Sequence, residues 1–263
     1  ITARSGIRIG AGQSVSAVSG IVTYYGDGSQ LTGVESGVSN FVASGDIGNG
    51  QTVIIKTDGT VGIVTGTSVT QGVGSPAVFN SGNTTYISSV YDSTNNKVVI
   101  AYKDGGGGNA GKARVGTVSG TSISFGGENQ FEGGETNFIG MTYDPDQEKV
   151  VIAYTDGGDS DKGKARVGTV SGTSISFGSI VEIGTNFRAF SATYDTNSNK
   201  VVIAFQDQGN SLGKAVVGTV SGTSISFGSI AQFNAGNCGE MVSTTFDSTN
   251  NKVVIAYIDQ GNS

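Results

Sequence analysis

Carboxylates recur in this chain at fixed spacing, and they are the first residues that could do chemistry. Asp92, Asp144, Asp195 and Asp247 form one series, and Asp104, Asp156, Asp207 and Asp259 form another. A residue that returns with a repeat is first of all a structural residue. Asp accepts hydrogen bonds from backbone N–H groups a few positions on, so both series are expected to close turns and loops. One loop is richer. Asp156, Asp159 and Asp161 bring three carboxylates together among glycines that permit a tight wrap. Hard oxygen ligands on a flexible loop suit calcium, so these three are the candidate metal ligands and calcium the one cofactor considered. The equivalent loops, Asp104 to Asn109 and Asp207 to Asn210, lack the acidic set, and no EF-hand spacing is present.

Glu128, Glu132, Glu135, Glu182 and Glu240 stand outside the two series. Glycoside hydrolysis needs two carboxyls roughly 5–10 Å apart across a cleft, and sequence does not show which acids converge. The chain has no histidine, which removes Ser-His-Asp and Cys-His arrangements and the commonest zinc ligand. The single cysteine, Cys238, has no visible base and reads as a small half-buried side chain. Arg188 is the basic residue of a predicted innermost strand, Phe187 to Thr193, and is the candidate binding residue if that strand faces a channel. Lys112/Arg114 and Lys164/Arg166 recur on a third strand and read as a solvated, salt-bridged face. No catalytic residue is assigned, and the expectation is a protein that is not an enzyme.

Two phrases position these residues. Val115 to Gly126 returns nearly unchanged at Val167 to Gly178 and at Val217 to Gly228. Between them lies Tyr91-Asp92, a polar run, and Lys97-Val-Val-Ile-Ala-Tyr102, which returns from Tyr143, Tyr194 and Phe246. A period of about 50–52 residues marks an array or a propeller. One period reads as four strands joined by hairpins. The Val-Val-Ile-Ala-Tyr strand is apolar on both faces and must be covered on both. The Ser-Ile-Ser-Phe strand alternates and has one wet face. In the copy from Asn137, that fourth strand is expected to continue through Ile180 to Ile183.

The expectation is therefore an all-β fold: a β-propeller of four-stranded antiparallel blades, five in number, with a short extended N-terminal β segment. The copies are 46–83 (degenerate), 84–136, 137–186, 187–236 and a partial 237–263. A parallel β-helix is the main rival, and a row of small sandwiches the next. The formal net charge of −6 argues against nucleic acid, and no run is apolar and long enough to span a membrane. Both ends read as cut within a longer protein.

Residues 1–45 do not share the repeat and read as a leader or linker. The run Tyr24-Tyr-Gly-Asp-Gly-Ser-Gln-Leu-Thr-Gly-Val34 resembles a segment of phage tail-fibre and related virion proteins, especially of the marine cyanobacterial phage type. That resemblance implies a structural and binding protein of a virion or similar extracellular appendage, trimeric through its N-terminal segment. Its partners would be other appendage subunits and a cell-surface glycan or protein. A propeller-type glycoside hydrolase or depolymerase, and a bacterial adhesin or filament subunit, are the alternatives.

Overall fold

The computed structural model describes residues 42–47, 53–57, 60–63 and 73–261. The run Tyr24 to Val34, and with it nearly all of the leader, lies outside the described residues. The chain divides between Thr70 and Gln71 into two units. In the first, β1 (Val53–Ile55) and β2 (Val61–Ile63) pair antiparallel, and Ala43 bridges Val61 in parallel.

The second unit is built from the repeat. Sheet one is β3 (Thr84–Asp92), β4 (Lys97–Asp104), β5 (Ala110–Ser119), β6 (Ser122–Phe125) and β7 (Asn129–Glu132). Sheet two is β8 (Thr136–Asp144), β9 (Lys149–Asp156), β10 (Lys162–Ser171), β11 (Ser174–Phe177) and β12 (Val181–Gly184). Sheet three is β13 (Phe187–Asp195), β14 (Lys200–Asp207), β15 (Leu212–Ser221), β16 (Ser224–Phe227) and β17 (Ala231–Asn234). A two-stranded sheet, β18 (Cys238–Asp247) with β19 (Lys252–Asp259), follows. Every ladder in these sheets is antiparallel, unlike the coils of a parallel β-helix. Among the described residues no helix is long and apolar enough to cross a membrane.

Strand period explains the packing. Along β9, Val150, Ile152 and Tyr154 enter a core shared with sheet one, while Val151 and Ala153 enter a core shared with sheet three. Alternate side chains of one strand thus hold two sheets. A fully buried Val or Ile contributes roughly 1.5–3 kcal/mol, so this central strand is the most stabilising element of its sheet. The wet alternation on the outer strand is also present: Ser174 and Ser176 are exposed while Ile175 is buried.

The outer strand differs from the expectation of one continuous fourth strand. It is broken in two. β11 pairs one end of β10 and β12 the other, with a register shift between Gly163 and Lys164. The break falls at a periodic glycine in all three sheets, and in the first two that glycine is pressed against a neighbouring hairpin. A Cβ on Gly74, Gly126 or Gly178 would fall 1.7, 1.9 or 1.8 Å from the carbonyl oxygen of Thr121, Thr173 or Thr223. Those threonines sit in tight hairpins of the following copy, next to Gly120, Gly172 and Gly222, whose φ values of 58, 61 and 59° suit a two-residue turn. At Gly126 and Gly178 the chain leaves its own ladder to press on the neighbouring sheet's hairpin. Gly74 does the same from residues 73–80, where Phe79 also packs edge-on against Tyr102, as Phe131 does against Tyr154.

Substituting this glycine tests the lock. Gly126→Ala and Gly178→Ala are expected to destabilise the protein by about 1–3 kcal/mol in urea unfolding. Gly228→Ala, whose Cβ would meet only the Val217 carbonyl oxygen at 3.8 Å, is expected to stay near the parent. Equal effects at all three positions would refute the lock.

Candidate functional site

The first strand of each sheet carries the same irregularity near its start. Pairing slips between Thr85 and Ser88, Asn137 and Gly140, Arg188 and Ser191, and Cys238 and Val242. Three of the displaced residues are left-handed without being glycine: Tyr86 (φ 49°), Phe138 (φ 47°) and Ala189 (φ 55°). Such a backbone costs on the order of 1–2 kcal/mol per residue, so the slip is held by its surroundings. It pushes side chains of β3, β8, β13 and β18 out of their ladders and into one shared cavity of about 380 Å³. Tyr86, Ile87, Phe138, Phe190, Glu240 and Met241 are among its lining residues.

The cavity has an aromatic wall and a charged rim. The Tyr86 and Phe138 rings are 4.9 Å apart and tilted by 47°. The Arg188 guanidinium lies 5.8 Å from the centre of the Phe138 ring, and its Nη1 donates to Glu240 Oε1 at 2.7 Å. Lys103 Nζ lies 5.7 Å from the Tyr86 ring and donates to Glu135 Oε1 at 3.0 Å and Asn137 Oδ1 at 2.9 Å. Tyr86 is 39% and Met241 68% exposed, so one side of the cavity is open to solvent. Each cation at the rim carries a carboxylate partner, so the site is balanced in charge.

Arg188 stands on the first strand of sheet three beside this cavity, one residue before the lining Ala189. The aromatic wall was not anticipated. Its signal was present: Tyr86-Ile87 and Phe138-Ile139 occupy the same place in two copies.

The periodic aspartates sit in turns. Asp92, Asp144, Asp195 and Asp247 each accept two backbone N–H bonds from the residues two and three positions on. Asp104, Asp156, Asp207 and Asp259 accept from Gly106, Gly158, Gly209 and Gly261. In the acidic loop, Lys164 Nζ lies 2.5 Å from Asp156 Oδ2 and 3.0 Å from Asp159 Oδ2, and Lys162 is 3.4 Å from Asp159. The hydrogen bond from Lys164 leads the effects that hold the Asp159 carboxyl below its usual range. The backbone carbonyl of Asp161 accepts from Phe187 N. An ammonium stands between two of the three expected calcium ligands, and among the described residues no three His, Cys, Asp or Glu side chains group to hold a metal.

Glu128, Glu132, Glu135, Glu182 and Glu240 are each engaged. Glu128 accepts from Lys112 at 2.7 Å and Tyr102 at 3.0 Å; Glu132 accepts from Tyr154 at 2.9 Å. Glu182 is 3.2 Å from Lys162, while Glu135 and Glu240 hold Lys103 and Arg188. Cys238 is buried, and that burial raises its thiol pKa. Arg166 is not on a solvated face: its Nε reaches the Gly178 carbonyl at 2.7 Å and its Nη1 the Phe131 carbonyl of sheet one. From β10, inside sheet two, this long cation spans the gap to sheet one. In the first unit, Lys56 Nζ donates to Ser44 Oγ at 2.7 Å. Both are exposed, whereas a lysine that serves as a base is desolvated.

No protein-family model matches the chain, and no curated protein matches it.

The Tyr102–Glu128–Lys112 set has a pH signature. The hydrogen bond from Lys112 leads the effects that lower Glu128, so its stabilisation is complete above the unfolded carboxyl pKa and is lost as pH falls through the folded value. Burial, then Glu128, pushes Tyr102 up to about 12, so that contribution is present below the unfolded phenol value and is lost as pH rises through the folded one. In the Glu128→Gln variant the acid unfolding limb is expected to flatten, and the absorbance of phenolate from Tyr102 to appear at lower pH. Unchanged limbs at both ends would show that the set does not couple to folding.

Proposed function

We propose that this chain is a structural and binding protein of a phage tail fibre or a similar extracellular appendage. In this reading the repeat sheets are blades of a five-bladed β-propeller. The blades' first strands surround the axis, and the cavity at their bulged starts grips a cell-surface glycan or protein. The observation that carries the reading is that cavity: four first strands are deformed at one level, and they present an aromatic pair and an ion pair to solvent. Aromatic faces beside a few directed polar groups are what sugar rings and exposed peptide side chains need. The tail-fibre-like run Tyr24 to Val34 supplies the context.

A depolymerase needs two carboxyls free to act on a glycosidic bond. Glu128, Glu132, Glu135, Glu182 and Glu240 each hold a cation or a tyrosine, so binding is the better supported reading.

The test is retention of the purified chain on a glycan array and on a panel of bacterial envelopes, marine cyanobacteria included. The expected result is selective binding that falls roughly tenfold or more in a folded Tyr86→Ala/Phe138→Ala variant. Binding unaffected by that variant would move the site elsewhere. No binding to any glycan or envelope would overturn the function.

A further inference from the structure

At the junction between sheets one and two three side chains meet, and one of them, Glu135, stands where the other copies have asparagine. Asn83, Glu135, Asn186 and Asn237 are equivalent, because each backbone carbonyl accepts from the loop after the second strand: Gly105, Gly157, Gln208 and Gln260 N. Glutamate thus replaces asparagine in one copy. At the end of the second strand, Thr155 and Gln206 donate to the Phe187 and Cys238 carbonyls of the next sheet. The same place in sheet one holds Lys103, which meets side chains instead. Asn137 stands where the other copies have Thr85, Arg188 and Gly239. At the next two junctions the clasp is a neutral donor to a carbonyl, whereas here an amine meets a carboxylate and a carboxamide.

Lys103 Nζ is 2.9 Å from Asn137 Oδ1 and 3.0 Å from Glu135 Oε1, with the Tyr86 ring 5.7 Å away. Its side chain is 12% exposed, that of Glu135 47%. An amine, a carboxamide and a carboxylate in mutual reach are the groups needed to join two side chains. We propose that Lys103 and Asn137 condense to an isopeptide bond that staples sheet one to sheet two, with Glu135 as the proton carrier.

The step balances without a further reactant. Glu135 first accepts a proton from the Lys103 ammonium; the freed amine attacks Cγ of Asn137, the Nζ–Cγ bond forms, and the Cγ–Nδ2 bond breaks. Both protons lost by the attacking nitrogen pass in turn through Glu135 to the departing one, which leaves as ammonium. Nothing is oxidised or reduced, and Glu135 ends as it began. The hydrogen bond from Lys103 leads the effects that hold Glu135 below the usual carboxyl range, so it is present in the form that accepts the proton. Its exposed side opens a path for the ammonium.

Intact mass spectrometry of the full chain tests this, after incubation folded at neutral and mildly alkaline pH. The folded parent is expected to be one ammonia lighter than its sequence, and digestion to yield one peptide joining Lys103 to Asn137. Parent protein kept unfolded in denaturant, and a folded Glu135→Gln variant, are expected to keep full mass. A folded parent at full mass would overturn the proposal. So would an ammonia loss without the joined peptide, which marks a cyclised asparagine, or a mass gain from deamidation. Loss of the joined peptide in Lys103→Ala confirms the assignment only if that variant folds, which circular dichroism decides; the Glu135→Gln arm stands if it does not.

Discussion

A strand that is apolar on both faces cannot be satisfied by its own sheet, and the rest of the second unit follows from that. The Val-Val-Ile-Ala-Tyr strand appears in β4, β9 and β19, and in a near copy in β14. Each sends its larger residues one way and its smaller ones the other. In β9 the two sets reach different neighbouring sheets. A single sheet would leave one of these faces in water. The sheets are therefore stable as a series, with each one's core completed by the next.

The ends of the series show the same constraint by contrast. Tyr154 in β9 is fully buried, whereas the equivalent Tyr257 in β19 is 39% exposed and Val254 50%. The residues are the same type in the same place, so the difference lies in what surrounds them. β19 pairs with β18, and no third strand is described beside it. On the other side, Tyr102 of β4 stays buried because Phe79 covers it. Burial here depends on a neighbour's presence far more than on the local sequence.

Much of the fold was legible for a simple reason. Period-2 alternation, Gly-containing turns and a fixed long repeat are local signals, and antiparallel hairpins are local structures. Asp144 announces its turn because its side chain bonds the backbone two and three residues on. The glycine contact beside the broken outer strand was not legible, because its partner lies in another copy. Nothing near Gly178 in the sequence says that the Thr223 carbonyl will occupy its side-chain space. Arg166 was misread for the same reason: its partners lie across a gap that only the assembled sheets create. The cavity belongs to this class too, since Tyr86, Phe138, Phe190 and Met241 come from four separate copies.

Repetition and function pull against each other in such a chain. A residue that every copy keeps serves packing, and so tells little about a ligand. A residue that breaks the pattern is released from that duty. Arg188 and Glu240 occupy no shared role, yet they meet 2.7 Å apart across two sheets. Lys103, Glu135 and Asn137 do likewise one junction earlier. Both exceptions cluster where the first strands slip out of register, the one level at which the backbone is already displaced from the ladder. Along central strands such as β9 nearly every position faces a core or a neighbour, so new side chains have little room there. The bulge is where the repeat can vary without undoing the stack, and that is why the distinctive chemistry of the chain gathers there.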